Sequence, residues 1–153
     1  MTEFLLFMVA DRQFGVPVLM AEHVVRMVAL TRLPAVSDAV AGIINYHGTI
    51  VPVFSLRNRF MLPVRQPNLT DVLILTATSR RLVALIADEI IGVRDIDKDL
   101  IQADAVLPGL TAMQGVVKTS DGMILIPDPE RFLLPDEDNQ LSAALELVSR
   151  EVS

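Results

Sequence analysis

The chain has no cysteine and no tryptophan, and aromatic residues make up only 5% of its 153 positions. Without cysteine there can be no disulfide, thiol nucleophile or thiolate metal site, and the absence fits a reducing, cytoplasmic address. So few aromatics cannot form a base-stacking platform for single-stranded nucleic acid. Basic residues are also scarce: 13 Lys and Arg stand against 19 Asp and Glu, a net charge of −6 with no basic block. No nucleic acid is therefore expected as a partner. The seven glycines are scattered singly, so no phosphate-cradling loop is present. No apolar run approaches the ~18 residues of a membrane span. The run Phe4–Ala10 has the bulk of a signal segment, but it lacks a basic lead and Asp11-Arg12 follow at once. It reads as a buried first strand, and direct membrane insertion is not expected.

Reactive constellations are equally sparse. His23 and His47 are the only histidines, with no partner at metal-ligand spacing. No G-x-S-x-G occurs, and Ser37, Ser55, Ser79 and Ser120 lie in turn or strand-end contexts. Asp95-Ile96-Asp97-Lys98-Asp99 opens like a calcium loop but lacks its glycine and its closing glutamate. The expectation is a protein with no catalytic, cofactor or metal residues. A spatially assembled triad leaves open a small β-barrel hydrolase, or a ligand-binding protein, using His23 or His47.

Short apolar runs dominate what remains. Segments 3–10, 14–20, 41–46, 49–54, 70–78, 81–87 and 122–127 are rich in Val, Ile, Leu and Phe. Turn residues bound most of them: Asp11-Arg12-Gln13, His47-Gly48, Ser79-Arg80 and Ser120-Asp121-Gly122. This spacing predicts a mostly β protein built from barrels or a sandwich. "SLRNRF" (55–60) allows one or two helical turns. The stretch 136–153 predicts a helix, with acids in its first turn, Arg150 near its end, and an apolar stripe of Leu141, Leu145, Val148 and Val152. "MLPVRQPNL" (61–69), with two prolines, reads as a connector.

The text on either side of that connector rhymes. "VLMAEHVV" (18–25) matches "ALIADEII" (84–91) in pattern, and "GIINYHGTIVPV" (42–53) matches "GVVKTSDGMILI" (115–126). Two rhymes in one order imply an internal repeat, hence two similar small barrels in tandem. Mean hydropathy is +0.48. Either both barrels bury nearly all of this, or some of Val24, Val25, Val83, Val93 and Val116 form an exposed contact patch.

"GIINYHGTIVPVFSLRNRF" (42–60) resembles the signature of CheW-like chemotaxis coupling proteins through Gly42, Asn45, Gly48, Ile50, Pro52, Leu56, Arg57 and Phe60. "FLLFMVADRQFGVPV", "RLPAVSDAVAGI" and "TDVLILTATSRRLVALIADEIIGVRDI" extend the likeness through nearly the whole chain. The resemblance implies one domain over 1–153 made of two SH3-like β-barrels and a C-terminal helix. The expected division is 14–66 for one barrel, 1–13 with 67–135 for the other with strand exchange possible, and 136–153 for the helix. It also implies a non-catalytic adaptor without cofactors. Such an adaptor binds the regulatory domain of a histidine kinase and, in an apolar groove between the barrels, the cytoplasmic tip of a chemoreceptor. Candidate partner-binding residues are His23, Val24, Arg26, Ile44, Asn45, His47, Val83 and Val93. The chain departs from the family pattern at Tyr46 and His47, where Leu-Arg is usual, at Ser55, where Asp is usual, and at His23, where Glu is common. These departures remove fixed charges near expected partner surfaces. A related reading is a CheW-like module serving another chemosensory output, such as surface motility.

Overall fold

The computed structural model describes residues 1–33, 37–103, 112–120 and 122–152. Among the described residues ten strands run in chain order as β1 (Thr2–Val9), β2 (Arg12–Pro17), β3 (Ala21–Arg26), β4 (Val40–Tyr46), β5 (Thr49–Phe54), β6 (Val72–Ala77), β7 (Leu82–Ala87), β8 (Glu89–Ile96), β9 (Met113–Thr119) and β10 (Gly122–Pro127). A one-turn helix α1 (Leu56–Arg59) follows β5, and a long helix α2 (Pro135–Val152) follows β10. The strands form two five-stranded sheets, ordered β8-β1-β2-β10-β9 and β3-β6-β7-β5-β4.

The two orders are one pattern used twice. Strands β3 to β7 of the second sheet correspond in turn to β8, β9, β10, β1 and β2 of the first, so the repeat is circularly permuted along the chain. In each sheet one internal contact is parallel, β5 with β7 and β10 with β2. In each, the segment after the leading edge strand bends back to the far edge, as Thr31 pairs with Ile43 and Gln102 with Val116. These bridges curl each sheet towards an SH3-like barrel without completing a ring of paired strands among the described residues. Both rhymes in the sequence fall on corresponding strands. Gly42 and Gly115 occupy matching positions for a shared reason: a Cβ on Gly42 would lie 2.7 Å from the Thr31 carbonyl oxygen, and one on Gly115 would lie 2.5 Å from Ile101 Cγ2.

Sheet membership divides the chain differently from the expected 14–66 and 67–135. β2 belongs with β1, and β6 and β7 join β3 to β5. The first sheet is therefore built from 2–17 together with 89–127, and the second from 21–87. The proline-rich connector lies within the second sheet, between β5 and β6. A seam placed at the most loop-like text misses this, because the chain crosses between sheets in the short links β2–β3 and β7–β8.

Side-chain alternation sorts the apolar residues into three cores. Phe4 and Leu6 of β1 point into the first sheet's own core with Val117, Ile124 and Ile126. Leu73 and Leu75 of β6, with Val51, Val53, Ala84 and Ile86, fill the second sheet's core. The opposite faces of the same strands meet in the largest cluster, which joins Leu5, Phe7, Val9 and Phe14 of the first sheet to Phe54, Ile74, Val83 and Leu85 of the second. Strands β1, β6 and β7 are thus buried on both faces, which explains their unbroken apolar runs. Each fully buried side chain such as Phe7 or Leu85 contributes about 1.5–3 kcal/mol of burial free energy.

The C-terminal helix packs on this shared core through Leu141, which is fully buried, with Leu145 half-buried beside it. Pro135 opens the helix, where its missing N–H costs nothing, and Glu137 reaches back to accept from Leu134 N–H at 2.9 Å. The β6–β7 hairpin grips the helix start. Arg80 and Arg81 pair with Asp138 at 2.7 and 2.6 Å, Arg81 donates to Ser142, and the Ser79 hydroxyl donates to Glu130 at 2.6 Å. Among the described residues no helix is long and apolar enough to cross a membrane.

Candidate functional site

The hairpin tip comes first, because sequence alone left its role open. Tyr46 pairs with Thr49, so His47 and Gly48 form a two-residue loop, and both have positive φ, 50° and 90°. That is the type I′ turn, whose backbone twist matches the flanking strands. Histidine tolerates the left-handed region better than most side chains, and Gly48 meets nothing that a Cβ would touch. Asn45 completes the turn: its Oδ1 accepts from Gly48 N–H at 2.8 Å. Asn45 is thus exposed but engaged in holding the loop.

Curling of the second sheet brings its two edge strands together at this tip. The His23 ring on β3 lies 5.9 Å from the Tyr46 ring on β4, and the Tyr46 ring lies 4.4 Å from that of His47 in an edge-on arrangement. Both histidines of the chain therefore flank one tyrosine, and both are exposed. Tyr46 also packs against the second sheet's core, which fixes the cluster to the body. Two of the family departures, read separately in the sequence, are one surface feature.

The remaining candidates separate by face. Val24 sits opposite Ile74, and Val93 opposite Leu5. Ile74 and Leu5 both belong to the shared inter-sheet core, and directly paired residues project to the same side. Val24 and Val93 therefore continue that apolar face at the two sheet edges, where they are 45% and 56% exposed. Arg26, opposite Val72, projects to the same side as Val24 and is exposed. His23, opposite Leu75, faces the other way. So Val24, Arg26 and Val93 mark the rim of the inter-sheet face, while His23, Tyr46 and His47 mark a second surface.

Two candidates are not surface residues. Ile44 (7% exposed) lies in the second sheet's own core and Val83 (2%) in the shared core. Apolar residues on β4 and β7 were read as potential contacts, but these strands present those side chains inward. Ser55 also takes a structural role. It caps α1, its Oγ accepting from Asn58 N–H at 3.3 Å, and Asp128 at the corresponding place of the other sheet accepts from Glu130 N–H at 3.1 Å. Serine and aspartate cap equally well, so the exchange at Ser55 leaves the local fold intact.

The sequence reading missed an ion-pair chain built partly from its own motifs. Arg57 of "SLRNRF" pairs with Asp88 of "LIADEII" at 2.7 Å. Asp88 also accepts from Ala10 N–H in the β1–β2 turn at 3.0 Å and from Arg65 at 3.0 Å. Arg65 in turn forks onto Asp71 at 2.7 and 3.0 Å. Asp88 thus joins the two sheets at one carboxylate. Burial alone would push the Asp71 carboxyl up, but bonds from Arg65 and from Asn68 N–H, with the charges of Arg65 and Arg57, hold it below its usual 3.8. Asp138 follows the same pattern: burial opposes ionisation, and Arg81 with Arg80 outweighs it. The spacing of 31 residues between Arg57 and Asp88 left no local signal. Among the described residues no cluster of three His, Asp or Glu could hold a metal.

Comparison with known proteins agrees with this geometry. The CheW-like domain model matches residues 3–136. The chain is 24% identical over 138 residues to the chemotaxis protein CheW of Klebsiella aerogenes, spanning 88% of this chain and 83% of that one. It is 23% identical over 137 residues to CheW of Helicobacter pylori, spanning 88% and 82%. The crystal structure of the scaffolding protein TtCheW from Thermoanaerobacter tengcongensis superposes with a TM-score of 0.78 at 26% identity, covering 89% of this chain and 90% of that one.

Proposed function

The chain belongs to the CheW-like domain family, and from that premise we propose that it is a chemotaxis coupling adaptor that works by binding alone, joining chemoreceptors to a histidine kinase in the cytoplasm. The observation that carries this reading is the rim of the inter-sheet face. Val24 and Val93 extend an apolar surface past the point where the two sheets seal it. An amphipathic helical hairpin such as a receptor tip can lay its apolar side chains along such a rim, with a few anchors supplying most of the affinity. The surface of His23, Tyr46 and His47 lies on the other side of β3 and is free for a second partner, the kinase regulatory domain. Two separate faces are what a bridging protein requires.

The test is binding of the purified chain to a receptor-tip hairpin and to the kinase regulatory domain, measured separately by calorimetry. Val24→Asp and Val93→Asp should weaken the receptor tip at least tenfold, about 1.4 kcal/mol, while leaving the kinase domain bound and the fold intact. His47→Ala should do the reverse. Equal affinities for all variants with both partners would refute the assignment of faces, and binding to neither partner would refute the adaptor reading.

A further inference from the structure

A cavity of about 870 Å³ lies beside the second sheet, with Met27, Leu30 and Leu56 in its wall and the connector along its other side. Met61, Val64 and Leu69 of the connector line this cavity, yet they are among the most exposed apolar residues of the molecule. No hydrophobic packing therefore holds residues 63–69 in place. They form no strand or helix. Their near end is fixed by Leu62, which packs on the shared core and bonds back to the Arg57 carbonyl, and their far end by the buried Asp71. Between these ends the fastenings are Arg57 to the Pro63 carbonyl at 2.7 Å, Asn68 N–H to the Asp71 carboxylate and Asp71 N–H to the Asn68 carbonyl, both at 2.8 Å, and the Arg65 fork onto Asp71 and Asp88. Met61, at the start, has φ of 54°, a left-handed backbone in a residue that rarely adopts it.

We infer that residues 63–69 are a strap latched by Arg65 over this cavity, and that releasing the Arg65 guanidinium from Asp71 and Asp88 lets the strap lift and uncovers Met27, Leu30 and Leu56. The inference stands apart from the adaptor reading, since none of Val24, Val93, His23, Tyr46 and His47 lines this cavity.

The absence of native cysteine makes the test direct. Met27→Cys places a thiol in the cavity wall, and Leu75→Cys places one in the second sheet's core away from the cavity, so labelling of the first reports the strap and of the second reports global opening. Met27→Cys should label faster than Leu75→Cys at a rate that low urea barely changes, as local opening requires, and adding Arg65→Gln should speed it by about tenfold, as losing charge-assisted bonds implies. In the Arg65 wild-type background, raising the salt concentration should act in the same direction. A rate at Met27→Cys unchanged by Arg65→Gln, or equal rates at the two thiols that rise together with urea, would overturn the strap. Should Arg65→Gln fail to fold, Arg65→Lys keeps the charge but loses the two-carboxylate fork and should give a smaller acceleration at Met27→Cys; a rate equal to that with Arg65 would overturn it as well.

Discussion

At the scale of single residues, His47 is first a turn residue. With φ at 50°, position 47 favours glycine, accepts histidine or asparagine, and penalises β-branched side chains. His47→Gly should therefore leave stability within about half a kcal/mol, whereas His47→Val should cost about 1–2 kcal/mol. Urea denaturation of both variants checks this, and equal stabilities would remove the backbone argument. The carboxyl of Asp71 yields a pH prediction of definite sign. Because it is held below 3.8 in the folded chain, it stabilises fully above that pH and loses its contribution as pH falls through its lower folded value. Asp71→Asn should cost about 1–3 kcal/mol at pH 7, since Asp71 is buried and accepts three side-chain and backbone bonds. It should then lose less further stability than wild type between pH 7 and pH 3. A parallel pair of stability curves would contradict the assignment.

At the scale of elements, legibility followed burial. β1, β6 and β7 announced themselves because both faces are covered, giving continuous apolar text. β3 and β8 went unread: they are edge strands, with half-exposed, charged sequences "AEHVVR" and "EIIGVRDI", and a bulge interrupts the pairing of each. β9 registered only as the left half of a rhyme. The type I′ turn at Ala10-Asp11 was placed one residue late, because neither residue is the glycine or asparagine that usually marks it. The predicted hairpin residue Asp121 lies outside the described residues. The helix was placed within a residue of its start, since Pro135 and three acids mark it. The repeat itself makes a prediction through Gly42 and Gly115. Gly42→Ala drives a Cβ onto the backbone carbonyl of Thr31, which cannot rotate away, and should cost about 1–3 kcal/mol. Gly115→Ala meets Ile101 Cγ2 at 2.5 Å with the Gln102 carbonyl carbon and oxygen at 3.2 Å behind it, and should cost a similar amount. Thermal melting of both variants checks this, and a loss at only one of the two glycines would dispute the equivalence of the two bridges.

At the scale of the whole molecule, the same circularly permuted repeat places the exposed Val24 and Val93 on the edge strands of two sheets that share one core. Sequence reading reached the family and the two-part architecture through Gly42, Asn45, Gly48 and the "LIADEII" segment. It could not tell Val24 from Val83, because valines of equal hydropathy differ only in which strand face is covered. The most direct measurement is autophosphorylation of the kinase in the presence of its receptor, with and without this chain. The account predicts that receptor control of phosphate incorporation appears only when the chain is added, and fails with Val24→Asp. The same receptor response in the absence of the chain would contradict it.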